Sequence, residues 1–155
     1  MTPAVRIVQA QAVAHRLHAY QHTPGAKRYG AEAAEKLALP PDRVFKTLVV
    51  QIDDGALVTA LVPVCGSLSL KRLAAQLGAK KAAMAEAAAV ARVTGYVLGG
   101  VSPLGQRRRP LTVIDASALK HATIFVSAGR RGLELELAPA DLQRLTGAVI
   151  AEISA

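Results

Sequence analysis

Lys46 interrupts an otherwise apolar, β-branched run, residues 44–52, in which strand alternation puts it on the same face as Leu48, Val50 and Ile52. A lysine so placed either reaches out to the rim of a sheet or points into a pocket. In a pocket its three N–H donors could hold a carbonyl or phosphate oxygen. A second feature is the stretch 94–106, which contains Gly95, Gly99, Gly100, Pro103 and Gly105. It has too many breakers for a regular element and is too apolar for an ordinary solvent loop. Its backbone N–H groups can approach a ligand with no Cβ in the way, which suits polarising a carbonyl or stabilising an oxyanion; the competing reading is a structural corner. Neither GxGxxG nor GxxxxGK[ST] occurs, so nucleotide-cradling loops are disfavoured.

The other chemically capable residues form no constellation. His15, His18 and His22 lie close in sequence but in an extended and then looped segment with no fourth ligand nearby, so hydrogen-bonded or surface histidines are expected. Cys65, the single cysteine, has no histidine placed to make a dyad and no CxxC spacing; it reads as a small buried residue in a reducing compartment. Serine-nucleophile signatures are absent. The formal charge is +8, and residues 87–133 carry Arg92, Arg107, Arg108, Arg109, Lys120, Arg130 and Arg131 against Asp115 alone. The basic charge is therefore regional, as a polyanionic partner would require and as a solvated basic face would also permit.

The elements that must position these groups follow from periodicity and punctuation. Thr2-Pro3 starts a helix expected over residues 3–14, residues 15–20 read as extended, and 21–28 as a loop leading to a helix at 30–39 that Pro40 and Pro41 stop. Residues 44–52 and 56–64, joined at Asp53-Asp54-Gly55, predict a hairpin. Ser69 caps a helix over 70–77 ending at Gly78, and the alanine-rich stretch 84–91 predicts another. Strands are expected at 111–115, 123–127 and 133–137, the last with Glu134 and Glu136 alternating against leucines. Pro139 opens a short helix and 147–153 reads as a final strand. Hairpins mixed with helices, without repeating βα units, predict an α/β fold: a mixed, barrel-like sheet surrounded by helices, in one domain over residues 1–155. With 52% hydrophobic residues, no tryptophan and few aromatics, the core is expected to be aliphatic. No run approaches the length of a membrane span, and the cytoplasm is the expected compartment.

The segments Thr2-Pro3-Ala4-Val5, Val44-Phe45-Lys46-Thr47-Leu48, Thr94-Gly95-Tyr96 running into Gly99-Gly100-Val101-Ser102-Pro103-Leu104-Gly105-Gln106, and Arg131-Gly132-Leu133 together resemble the YbaK type of bacterial Cys-tRNA(Pro) deacylase. The resemblance covers nearly the whole chain. Its linked lysine strand and glycine loop are shared by free-standing and synthetase-inserted editing domains.

That resemblance implies a pocket for the aminoacyl end of a mischarged tRNA. It places the family's pocket lysine on Lys46 with Thr47 beside it, the oxyanion-facing glycine on Gly99 at the head of a G-x-x-x-P pattern, the pocket tyrosine on Tyr20 and a small polar residue on Ser127. Gly100, Val101, Ser102 and Pro103 complete the implied substrate loop. It also implies no cofactor, no metal and no protein nucleophile: the substrate's cysteine thiol attacks its own ester while the protein supplies placement and donors. A transient ternary complex with prolyl-tRNA synthetase is implied, and Arg107, Arg108, Arg109, Arg130 and Arg131 are the expected contacts to RNA phosphates. Two other readings stay open: hydrolytic deacylation of alanyl- or seryl-tRNA, and a non-catalytic tRNA- or synthetase-binding module.

Overall fold

The computed structural model describes the chain apart from Lys27 and Asp54, so those two positions of the expected loop and hairpin turn lie outside the described residues. Helix α1 (Pro3–Ala10) starts where Thr2, in extended conformation, accepts the Val5 N–H on its hydroxyl and proline occupies the first turn. It stops four residues short of expectation: Ala12 turns to a φ of 52°, and Val13 packs into the core instead of continuing the helix. Strand β1 (His15–Ala19) and helix α2 (Tyr29–Lys36) follow, then the hairpin β2 (Phe45–Ile52) and β3 (Ala56–Pro63). Ser69 caps α3 (Leu70–Leu77), and Gly78 closes it in the left-handed region.

The alanine-rich segment departs from the sequence reading. Residues Ala82–Met84 form strand β4 on the edge of β2, and helix α4 (Ala87–Thr94) begins only after it. Alanine's helix preference is a few tenths of a kcal/mol per residue, and pairing with Val50, Gln51 and Ile52 overrides it. Strand β5 (Thr112–Asp115) leads into a 3-10 turn, Ala116–Lys120, that the sequence reading did not foresee; the Asp115 carboxylate caps it by accepting the Ser117 N–H. Strands β6 (Ile124–Arg130) and β7 (Leu133–Leu137), helix α5 (Pro139–Thr146) and strand β8 (Val149–Ala151) complete the chain. β6 is longer than expected because an irregularity between Ser127 and Arg130 carries it to the turn.

The strands form two sheets. One is antiparallel in the order β1-β7-β6; the other is mixed in the order β4-β2-β3-β5-β8, with β3-β5 and β5-β8 parallel. A parallel bridge between Val44 and Phe125 joins them where β2 meets β6, so the expected mixed sheet curls through this seam. One aliphatic core, including Val8, Leu61, Ile114, Leu135 and Leu142, lies between the sheets, α1 and α5. A second, around Val58, Val62, Leu73 and Ile153, seats α3 on the five-stranded sheet. The seam therefore leaves the start of β2, the end of β6 and the loop after α4 facing one another.

Candidate active site

A cavity of about 380 Å³ opens at that junction, a size suited to a small ligand group. β2 contributes Lys46, Thr47 and Leu48, β6 Ser127, β7 Glu134, α2 Tyr29 and Gly30, and the glycine loop Leu98, Gly99 and Val101. The register explains why β2 is available here. Val44 accepts from Val64, whereas Arg43 accepts from Phe125 and Val49 from Ala85, so alternation turns the peptide groups of Thr47 away from β3 on a stretch with no strand beside it. The Thr47 hydroxyl is also buried and has no hydrogen-bond partner among the described residues. Buried polar atoms are seldom left so, and one lining a cavity is an invitation to a ligand.

Gly99 sits in a tight turn in which the Gly100 N–H donates to the Val97 carbonyl at 2.9 Å. Its φ of 85° is what a glycine supplies at the third position of such a turn, and a Cβ there would lie 2.7 Å from the Tyr29 ring. Gly100 packs against the backbone of Arg130 and Arg131 and leaves no space for a side chain. Gly30 does the same for α2, where a Cβ would stand 2.5 Å from Val64 Cγ1 and 3.6 Å from Lys46 Cβ. Three glycines thus let helix, strand and loop converge on one wall.

Glu134 is the residue the sequence reading passed over. The alternation with leucines marked it only as part of a strand; it is 6% exposed, lines the cavity and pairs in register with Ser127 on β6 and His18 on β1. Its Oε2 has no partner among the described residues, and burial pushes its pKa up to about 8, so the neutral acid predominates at neutral pH. No local signal in the sequence marks it: the enclosure comes from β7 lying between β1 and β6, which buries an inward side chain whatever its polarity. Glu136, two residues on, shows the contrast. It is bonded to His18 at 2.8 Å and to the Thr123 hydroxyl at 2.6 Å; burial raises its pKa, and these bonds with the Arg43 charge outweigh it, for a net lowering.

The structure brings together five of the expected pocket residues, Lys46, Thr47, Gly99, Val101 and Ser127, and separates the others. The tyrosine on the wall is Tyr29 and not Tyr20. Tyr20 lines a neighbouring hollow with His22, Pro24 and Lys36, and its pKa is raised first by burial and then by the nearby Glu134 charge. Gly100 supports the loop from behind. Ser102 faces inward, its hydroxyl accepting the Leu104 N–H and its carbonyl accepting from Gln106, while Pro103 lines a different hollow. Arg109 lines that same hollow, so the Arg107-Arg108-Arg109 run does not border the cavity. Arg131 does not line it either; it stands behind two residues that do, its guanidinium donating to the Leu98 carbonyl at 2.7 and 3.0 Å and to the Tyr29 hydroxyl. The three N-terminal histidines go to three separate acceptors: Val13 O, Glu136 and Glu32.

Chemically, the site offers N–H donors from Lys46 and the Gly99 turn, hydroxyls from Thr47, Ser127 and Tyr29, and one buried carboxyl. Among the described residues the wall carries no imidazole or thiol, and no group of three or more histidines, cysteines or carboxylates could hold a metal ion; Cys65, expected to be buried, is exposed in the turn after β3. No helix among the described residues is long and apolar enough to cross a membrane.

A donor-lined pocket between a lysine strand and a glycine turn, in a mixed α/β fold, is the arrangement of a tRNA-editing domain. Residues 23–145 match the aminoacyl-tRNA editing domain family, and the chain belongs to that family. It is 36% identical over 154 residues to EbsC of Enterococcus faecalis, a protein described as a candidate Cys-tRNA(Pro)/Cys-tRNA(Cys) deacylase; the match covers 99% of this chain and 93% of EbsC. A proline–tRNA ligase of Shouchella clausii is 37% identical over 100 residues, covering 63% of this chain and 17% of the ligase. The crystal structure of a hypothetical protein superposes with a TM-score of 0.88 at 28% identity, covering 99% of this chain and all of the other.

Proposed function

We propose that this protein is a trans-editing deacylase that removes cysteine from mischarged Cys-tRNA(Pro), with Lys46 and the Gly99 turn as the groups acting on the ester. The observation that carries this reading is the cavity itself: donors converge on it, yet no protein group on its wall is poised as an activated nucleophile. A site built this way acts by placement. The substrate's thiol attacks the carbonyl carbon of its own ester, a C–S bond forms, the C–O bond to the ribose breaks, and the thiol proton passes to the departing ribose oxygen. Held in an attack geometry, such an intramolecular step gains several kcal/mol over its bimolecular equivalent. Lys46 and the Gly99 N–H then stabilise charge developing on the carbonyl oxygen.

Thr47, Ser127 and Tyr29 fit contacts to the aminoacyl and ribose hydroxyls, and Glu134 fits the amino group, whose positive charge would favour the ionised carboxylate. The likeness to EbsC over almost its full length supports cysteine as the amino acid, and the likeness to part of a proline–tRNA ligase supports tRNA(Pro) and a transient complex with the synthetase. Residues 1–155 act as one editing unit, since α1 and α5 share a core. A reducing cytoplasm would keep the substrate thiol free.

The test is release of labelled amino acid from Cys-, Ala- and Ser-tRNA(Pro) by the wild type and by Lys46→Ala. Loss of cysteine alone, abolished by the substitution, is the expected result. Preference for alanine or serine would move the protein to another branch of the family, and absence of turnover on all three would overturn the enzymatic reading.

A further inference from the structure

We propose that Arg131 is a positioning residue that locks the Leu98–Gly99 peptide in one orientation and so sets where the Gly99 N–H points. The inference rests on the proposed use of that N–H in deacylation. The geometry begins with the turn Val97-Leu98-Gly99-Gly100, whose central peptide joins Leu98 to Gly99. That peptide is the part of a tight turn free to flip, because the bond closing the turn involves only the outer residues. Arg131 grips its carbonyl from two nitrogens at once: Nε at 3.0 Å and Nη2 at 2.7 Å. A trans peptide is planar with its C=O and N–H opposed, so holding the Leu98 oxygen on the Arg131 side fixes the Gly99 N–H on the other.

The clamp has a second jaw. The same Nη2 donates to the Tyr29 hydroxyl at 3.2 Å, and the guanidinium carbon lies 4.8 Å from the centroid of the Tyr29 ring. Tyr29 in turn covers Gly99 so closely that a Cβ there would overlap its ring. Arg131 therefore ties the β6-β7 turn to both the glycine turn and the first residue of α2. A cation on the carbonyl also polarises the peptide, which makes its N–H a stronger donor. Only a planar fork can do this; a lysine supplies charge but cannot bridge the same acceptors in fixed geometry. An arginine with these bonds made is engaged by the protein before any RNA phosphate arrives.

The experiment compares wild type with Arg131→Lys and Arg131→Gln in three measurements: backbone deuterium exchange, kcat and KM on Cys-tRNA(Pro), and Tm. The clamp predicts faster exchange confined to residues 97–100 in both variants, kcat lower by ~10- to 100-fold, less than the ~100- to 1000-fold of a removed oxyanion donor because the N–H is misaimed and not lost, and KM within about twofold. Unchanged exchange at 97–100, or a uniform rise across the chain with a fallen Tm, would overturn it. So would a raised KM with unchanged kcat that Arg131→Lys restores, the pattern of a phosphate contact. Exchange is read on the free protein, so absence of turnover in the wild type would remove the deacylase reading while leaving the clamp to be judged on its own.

Discussion

Replacing Glu134 by glutamine should stabilise the protein increasingly as pH rises. The carboxyl is held in the cavity wall with one oxygen unpartnered, and burial lifts its pKa from 4.5 to about 8. Because the folded-state value lies above the unfolded one, the folded protein keeps between these pH values a proton that the unfolded chain has released. The stability associated with the neutral acid is therefore fully present below about pH 4.5 and is lost as pH rises through about 8. At 1.36 kcal/mol per unit, that interval corresponds to about 5 kcal/mol, an upper limit because water entering the cavity screens the charge once it forms. Glutamine has nearly the same shape and does not titrate. Urea unfolding at pH 5.5, 7 and 8.5 should show the stability difference between Glu134→Gln and wild type growing by at least ~2 kcal/mol over this range and levelling above about pH 8. A difference that stays constant with pH would refute the assignment of a buried, unpaired acid.

The same variant should be slower on Cys-tRNA(Pro), since glutamine cannot ionise to meet an ammonium; single-turnover rates decide this. Gly99→Ala should cost ~2 kcal/mol of stability by urea unfolding and most of the activity, because its φ of 85° strains any side chain and the Cβ meets the Tyr29 ring. Gly30→Ala should lower deacylation with a smaller loss of Tm, as α2 moves off Val64 and widens the cavity; a crystal structure of the variant would show the shift. Charge reversal at Arg107, Arg108 and Arg109 should raise KM for tRNA and flatten its salt dependence, and an unchanged salt slope would remove this run from the RNA surface.

Much of the architecture was legible because it depends on short-range signals. Thr2-Pro3 and Ser69 start helices by capping, Gly78 ends one, and the two β-branched runs pair along their full length. The misread segments are those in which distant pairing decides. Ala82–Met84 is a strand only because β2 offers an edge, and the 3-10 turn at Ala116–Lys120 forms where Asp115 caps it while also accepting the Ile153 and Ser154 N–H groups from the chain's far end. Within the site, Lys46 and Gly99 were readable as a charge out of place and a glycine in an apolar loop. Tyr29 and Glu134 were not. Their roles come from the β2-β6 seam and from β7 lying between two strands, contacts no local pattern encodes.

These residues also suggest how a site without an activated nucleophile can remain selective. The groups proposed to bind, Thr47 and Glu134, each leave a buried polar atom unsatisfied among the described residues, which costs stability. Their partners must come from the ligand, so binding is strongest for a substrate that supplies both a hydroxyl or carbonyl and an amino group. The groups proposed to stabilise developing charge, Lys46 and the Gly99 N–H, sit on two elements held by different scaffolds, one by the β2-β3 ladder and the other by Tyr29 and Arg131. On the proposed mechanism, discrimination among amino acids is left to the substrate, because alanine presents no side-chain nucleophile and the serine hydroxyl is a far weaker one than a thiol. A protein organised this way needs rigid donors more than reactive side chains, and its conspicuous features are accordingly glycines, a buried acid and an exposed arginine bonded back onto the glycine turn.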